Sequence, residues 1–289
     1  FDMRFLCLCV VALGWITITL ASRCPKVMQY NVFEGQGMYM SQPKPEKLDR
    51  LGKWLFEQDH DVVSMNECNR WHTGAVDLKT MAPKWGYPYV EFLQTNTGFN
   101  IGIISKKPLR RIMASIQGWH HGILHVLTDE GVNIIATHMT PHSLVKVLEE
   151  CKQVANYVKT VRGPVLVLGD FNAISPLDKK RHEAIGLESQ LKVLSRPRVK
   201  FMLRGKLDYS PIQTLLDAGL VDTIRADPDE DISTVPTLVK KDKSHAGKMR
   251  LDYILANQEY VDKYHPFVHP MKSETLDTLS DHYPVEMHC

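Results

Sequence analysis

The sequence predicts an α/β domain layered on mixed sheets. Three observations carry that expectation. Short apolar runs of strand character recur along the chain, two of them meet at a tight Asp-Glu-Gly turn, and stretches of helical periodicity lie between others. At 289 residues, 44% hydrophobic and 24% charged, the chain has the composition of a globular protein able to bury a large core. A net charge of +2 excludes a global field drawing it to nucleic acid or acidic lipid, so local patches must carry any such preference.

Residues 1–22 read as a secretory signal peptide. Met3 and Arg4 precede an uncharged run, 5–20, and the small residues Ala21 and Ser22 suit cleavage. The rival is an uncleaved membrane anchor, but the run is shorter than the ~20 residues that span a bilayer. The rest, 24–289, is expected to form one domain, secreted from the cell. Removing the leader would leave Cys24, Cys68, Cys151 and Cys289, an even number in an oxidising compartment, with three connectivities open.

The elements follow in order. "KVMQYNVF" (26–33) reads as a strand, and "PEKLDRLGKWLFEQ" (45–58) as a helix with Pro45 at its start. "DVVSMNE" (61–67), "YPYVEFL" (87–93) and "NIGIIS" (100–105) are strand-like. "GILHVLT" (122–128) and "VNIIATH" (132–138) flank the "DEG" turn as a hairpin. Residues 143–161 are the strongest helix, with Leu144, Val147, Leu148, Cys151, Val154 and Val158 along one stripe. "PVLVLGD" (164–170), "RLDYILA" (250–256) and "HYPVEMH" (282–288) complete the strands. Residues 177–210 and 225–249 read as irregular, and the first is basic: Lys179, Lys180, Arg181, Lys192, Arg196, Arg198, Lys200, Arg204 and Lys206 face only four acids. That excess suits either a solvated surface or a patch facing phosphate or membrane.

Polar residues fall at telling places. Asn31 interrupts the first strand, Glu67 ends the second, and His138 ends "IIATH". Asp170 and Asn172 follow "VLVLG", Asp252 lies in "MRLDYIL", and Asp281 with His282 opens the final strand. Singly each has an ordinary reading as a cap, a turn residue or a satisfied core histidine. Together they are harder to dismiss, because a carboxylate is costly to bury unless it is paired or bound to metal.

These residues sit in "YNV", "NE", "TH", "GDFN", "RLDYIL" and "SDHYPV", in that order, from about Lys26 to the C-terminus. In this the chain resembles the endonuclease/exonuclease/phosphatase superfamily, whose members are similar to deoxyribonuclease I. The resemblance implies a four-layer sandwich, two mixed β-sheets packed face to face with helices outside. It also implies a metal-dependent phosphodiesterase. Glu67 would be the main ligand of a divalent cation, with Asn31 and Asp281 completing or supporting the site. Oxygen ligands favour Mg²⁺, with Mn²⁺ or Ca²⁺ as alternatives. His282 would take a proton from the attacking water, oriented by Asp252. Asp170 and Asn172 would position nucleophile and phosphate, and His138 would donate to the phosphate or the leaving oxygen. His121 and Asn100 are candidate phosphate contacts, against an ordinary reading as turn and surface residues.

Departures from the family pattern narrow the substrate. Asp252 is followed by Tyr253 where inositol polyphosphate 5-phosphatases usually carry Arg, and "TNTGFNIGIIS" lacks the acid that pancreatic-type deoxyribonucleases pair with the His138-like residue. A phosphodiester of nucleic acid or of a phospholipid head group is the expected substrate. "VKFMLRG" (199–205) is the one candidate membrane contact, and a buried strand explains it equally well. A phosphomonoesterase, or an inactive binding member of the same fold, are the alternatives. No feature points to an obligate protein partner, and a monomer is expected. The family topology sets the first and last strands antiparallel, which would pair Cys24 with Cys289 and leave Cys68 with Cys151.

Overall fold

The computed structural model describes residues 23–37, 41–194, 200–227, 229–239 and 247–289. The expected signal peptide, 1–22, lies outside them, as do Arg196 and Arg198. Among the described residues no helix is long and apolar enough to cross a membrane.

The strands, in chain order, are β1 (Val27–Asn31), β2 (Val62–Asn66), β3 (Tyr89–Leu93), β4 (Ile101–Ser105), β5 (Leu109–Ser115), β6 (Gly122–Thr128), β7 (Asn133–His138), β8 (Val165–Asp170), β9 (Met202–Leu203), β10 (Lys206–Leu207), β11 (Leu220–Asp222), β12 (Asp252–Asn257), β13 (Phe267–Pro270) and β14 (Val285–His288). They form two six-stranded sheets, β13-β14-β1-β2-β4-β3 and β11-β12-β8-β7-β6-β5, and β9 pairs with β10. Each large sheet is mixed: β1 with β2 and β7 with β8 are parallel, and the remaining neighbours are antiparallel.

Side-chain alternation then sorts the core into layers. Val27, Val62, Ile101, Ile103, Val285 and Met287 of the first sheet meet Leu124, Val126, Ile134, Leu166, Leu168 and Ile254 of the second. Outside the first sheet, the helix Pro45–Gln58 packs Leu48, Leu51, Trp54 and Leu55 against Met28, Tyr30, Val63 and Met65. Outside the second, the helix Leu144–Val158 packs Val147, Cys151 and Val154 against Ile135, Val165 and Val167. This is the four-layer sandwich that the sequence motifs implied.

Some local expectations are corrected. The final strand begins at Val285, because Pro284 has no N–H to give the ladder, so Asp281 and His282 lie in the loop before it. Residues 177–210 are not irregular throughout: they hold the helices Lys179–Ala184 and Leu187–Lys192 and the β9–β10 hairpin, over a small core of Ile174, Leu187, Leu191, Phe201 and Leu251. Of the stretch 199–205, residue 199 lies outside the described residues; Phe201 and Met202 are buried while Leu203 is exposed, so the buried-strand reading holds only in part. β5, β11 and β13 escaped the sequence reading, since β5 is largely exposed and β11 and β13 have 3 and 4 residues.

The cysteines divide. Cys24 and Cys289 form a disulfide with 6.2 Å between Cα atoms, where β1 and β14 run antiparallel. The expected Cys68–Cys151 bridge does not form, and both thiols are free and buried. Cys68 packs under the helix Pro45–Gln58 and Cys151 sits in the helix over the second sheet, so both sheets lie between them.

Candidate active site

One end of the sandwich gathers the polar residues. There β1 ends at Asn31, β2 at Asn66, β7 at His138 and β8 at Asp170, while β12 begins at Asp252. Register does the rest. His138 and Asp252 are both Cα partners of Asp170 across β7 and β12.

Gly169 makes this alignment possible. Its φ of 153° is a glycine conformation, and a Cβ there would lie 1.8 Å from the Thr137 carbonyl oxygen. After Asp170 the chain turns through Asn172, at φ 48°, a conformation asparagine tolerates. The Asn172 N–H donates to Asp170 Oδ1 at 2.9 Å and its Nδ2 to the Met139 carbonyl at 2.9 Å. The Asp-x-Asn spacing is thus a turn that aims the Asp170 carboxylate.

His282 and Asp252 form a dyad. His282 Nδ1 lies 2.7 Å from Asp252 Oδ2, and Nε2 faces Asp170 Oδ2 at 3.8 Å. All three side chains are buried, and their ligand-type atoms lie within 4.8 Å of one another, close enough to share a metal ion. Burial works against the charge of His282, but Asp252 and then Asp170 outweigh it and push its pKa up to about 10. Burial likewise opposes the Asp170 charge, yet His282 and His138 hold that carboxyl well below the usual range. Burial raises Asp252, against the pull of His282.

Glu67 stands at the mouth with left-handed φ of 62°, strain of the kind stored at functional sites. Its Oε2 accepts from the Glu34 N–H at 2.8 Å. Asn31 Nδ2 donates both to Glu67 Oε1, at 3.0 Å, and to Asp170 Oδ2, at 3.2 Å. Two carboxylates therefore converge on one amide, and this oxygen-rich pairing fits a hard divalent cation. Asn31 turns its nitrogen, not its oxygen, to the carboxylates, so as placed it supports the pair. Asp281 is buried beside His282 in the same loop, and its charge bears on the imidazole.

His138 and His121 stack at 4.2 Å between ring centroids. His138 Nε2 is 3.5 Å from Asp170 Oδ2, and its Nδ1 is buried without a hydrogen-bond partner. His121 Nδ1 meets Thr97 Oγ1 at 2.6 Å, while its Nε2 is also buried and unpartnered. Two ring nitrogens beside the site are thus left without a partner. Asn100 is placed differently. Its Oδ1 accepts from the Thr95 N–H and its Nδ2 donates to the Cys68 carbonyl, bracing the loop behind Glu67.

Sequence reasoning passed over three supports. Asn66 Oδ1 accepts from the Asp170 N–H at 2.7 Å and its Nδ2 donates to the Thr137 carbonyl, tying the two sheets together beneath the site. Ser280 Oγ donates to the Asn31 carbonyl at 2.6 Å and accepts from the His282 N–H at 3.2 Å. Thr234 Oγ1 accepts from the N–H groups of Leu251 and Asp252. Asn66 and Ser280 adjoin Glu67 and Asp281, which was the available signal; Thr234 had none.

Comparison with known proteins identifies the family and the fold. The profile of the Endonuclease/Exonuclease/phosphatase family matches residues 28–282. A comparison with curated proteins finds no match. Among solved structures, an AP endonuclease from Archaeoglobus fulgidus superposes with a TM-score of 0.64 at 20% identity, covering 92% of this chain and 99% of its own. A 3'-5' exonuclease from Neisseria meningitidis gives 0.61 at 17%, covering 91% and 98%. Beta toxin from Staphylococcus aureus gives 0.60 at 15%, covering 92% and 99%. At these identities the likeness is one of fold.

Proposed function

The chain belongs to the endonuclease/exonuclease/phosphatase family, hydrolases of phosphoester bonds, and from that premise we propose that it is a secreted, divalent-cation-dependent phosphodiesterase. The observation that carries the reading is the buried His282–Asp252 dyad, 2.7 Å apart, facing Asp170. Asp252 fixes the ring through Nδ1, so Nε2 is the nitrogen that takes a proton from water, which it can do only in the neutral form. Asp252 and Asp170 favour the charged ring, and positive charge held against Asp170 would offset that pull. Asp170 orients that water, with Asn172 and Asn66 holding its backbone turn in place. His138 and His121 offer their unpartnered nitrogens to phosphoryl or leaving oxygens.

Glu67 would hold the cation, with Asp170 set across the shared Asn31 amide and Asp281 supporting the site from beside His282. When bound, Mg²⁺, or Mn²⁺ or Ca²⁺ in its place, supplies positive charge that offsets the growing charge on the phosphoryl oxygens. The Cys24–Cys289 disulfide supports export, since such bonds persist in oxidising compartments. The substrate class proposed is a phosphodiester of nucleic acid or of a phospholipid head group, and assay separates the two.

The test is a parallel assay of a chromogenic diester, its monoester, an oligonucleotide and a phospholipid, each with Mg²⁺ and with chelator. Turnover of diesters that chelator abolishes and His282→Ala removes is the expected result. Activity on the monoester alone would make the protein a phosphatase. No turnover on any of the four would leave a binding member of the fold.

A further inference from the structure

We propose a second metal site, for a borderline ion such as Zn²⁺, built from His269, Glu286 and His288 at the end of the first sheet remote from the dyad. It goes beyond the hydrolase reading and does not depend on it. The strand register creates it. His269 is the Cα partner of Glu286, and Phe267 of His288, across β13 and β14. Val268, Val285 and Met287 alternate inward to the core, so these four side chains share the outer face.

There the imidazoles converge on one carboxylate. His269 Nε2 lies 2.9 Å from Glu286 Oε1, and His288 Nε2 lies 3.0 Å from Oε2. The donor atoms of all three residues lie within 4.8 Å of one another. A tetrahedral Zn²⁺ with bonds of ~2.0–2.1 Å holds its ligands roughly 3.3 Å apart, so small side-chain rotations suffice. Two imidazoles and one carboxylate suit Zn²⁺ over Mg²⁺, which prefers oxygen. Coordination through Nε2 places each ring proton on Nδ1 and exchanges the histidine–carboxylate hydrogen bonds for metal bonds.

Two features preorganise the cluster. The rings of His269 and His288 stack at 5.4 Å and 12°, and Phe267 stacks on both, fixing the ring planes. His60, 1% exposed, lies 2.8 Å from Glu286 Oε2 and steadies the carboxylate from within, the arrangement that tunes metal ligands elsewhere. His269 and His288 remain 34% and 29% exposed, which gives an ion and its water access. Because His288 adjoins Cys289, a bound ion would clip β13 to β14 beside the disulfide.

The experiment titrates Zn²⁺ into the full chain, disulfide intact and metal stripped, with Mg²⁺ in excess. It is run on wild type, on Asp170→Asn to weaken binding at the dyad end, and on His269→Ala/His288→Ala and Glu286→Gln. Calorimetry should give one Zn²⁺ that persists in Asp170→Asn, with Tm rising roughly 5 °C at about 100-fold excess over Kd. The double variant should bind on the order of 100-fold more weakly. Co²⁺ in wild type should show the visible bands of a tetrahedral, nitrogen-ligated ion, absent from the double variant. The melting transition of each variant in chelator reports whether it folds, and Glu286→Gln serves should the double variant fail. Zn²⁺ binding that survives both surface variants, or that disappears in Asp170→Asn, overturns the proposal. So does a wild type that binds no Zn²⁺ at micromolar concentration.

Discussion

Asp170 and Asp252 are Cα partners across β8 and β12, which sets two buried carboxylates side by side with His282 reaching both. Neighbouring like charges in a dry site are tolerable only with a partner between them. His282→Ala removes both that partner and the base. Its kcat on a diester should fall about 10³- to 10⁴-fold. Asp252→Asn keeps the shape but loses the charge that fixes the ring, and should cost at least about 10²-fold. Steady-state kinetics on both variants, with circular dichroism to verify folding, checks this. A loss under tenfold in His282→Ala would remove that residue from the reaction.

Gly169 should tolerate no side chain. Alanine there must escape a 1.8 Å clash with the Thr137 carbonyl and adopt φ near 153°. The residue that would shift is Asp170, next in the chain. Gly169→Ala should therefore lower Tm and abolish turnover together. A variant of wild-type kcat would mean that the parallel β7–β8 pairing does not set the position of Asp170.

The cation should be held chiefly by Glu67. Chelator should abolish diester hydrolysis, and Mg²⁺ should restore it. Glu67→Gln keeps a carbonyl oxygen but loses the charge that Asn31 and the Glu34 N–H orient. The Mg²⁺ concentration for half-maximal rate should rise by roughly 10- to 100-fold, with smaller loss at saturating Mg²⁺. An unchanged Mg²⁺ requirement would move the main ligand to the Asp170, Asp252 and His282 group.

Much of this site was legible because its polar residues stand where apolar strands end. Asn31, His138, Asp170 and Asp252 each terminate or begin a strand, and register alone then assembles them. Both principal helices were equally plain, since a single apolar stripe over three or four turns has no other reading. What escaped depends on contacts distant in sequence. Thr234 reaches Asp252 from a loop, and the stacking of His121 on His138 belongs to the β6–β7 register. The Cys68–Cys151 pairing failed for the same reason: cysteine parity says nothing of which layer each side chain enters.

Acid should destabilise the fold through histidines outside the active site. Burial lowers the pKa of His125, which meets Tyr157 Oη and Asn133 Oδ1, and of His182, which stacks on Tyr209. Both are neutral in the folded and unfolded states well above pH 6.5, so these two add no slope there, where His282, with its raised pKa, sets one of the opposite sign. Below 6.5 the unfolded rings take up protons that the folded ones refuse. Stability must therefore fall as pH falls, until the folded values are reached. Urea melts from about pH 6.5 to about 5 should show this decline, and His125→Gln should flatten it in part. An unaltered slope in that variant would assign the decline to other groups.

The disulfide should matter more than its surface position suggests. It joins residues 265 apart, so in the unfolded state it closes nearly the whole chain into one loop. The chain-entropy estimate for such a loop is about 5 kcal/mol, an upper bound because the reduced chain retains some structure. In the folded state the bond is not needed to hold β1 to β14, whose pairing is already made by the backbone ladder. Cys289→Ser should accordingly lower Tm by roughly 5–15 °C while leaving kcat within twofold. Reduction of the wild type should reproduce the same shift, and reduction of the variant should add nothing. A large fall in kcat without a fall in Tm would instead mean that the tie reaches Asn31 along β1 and holds the carboxylate pair in place.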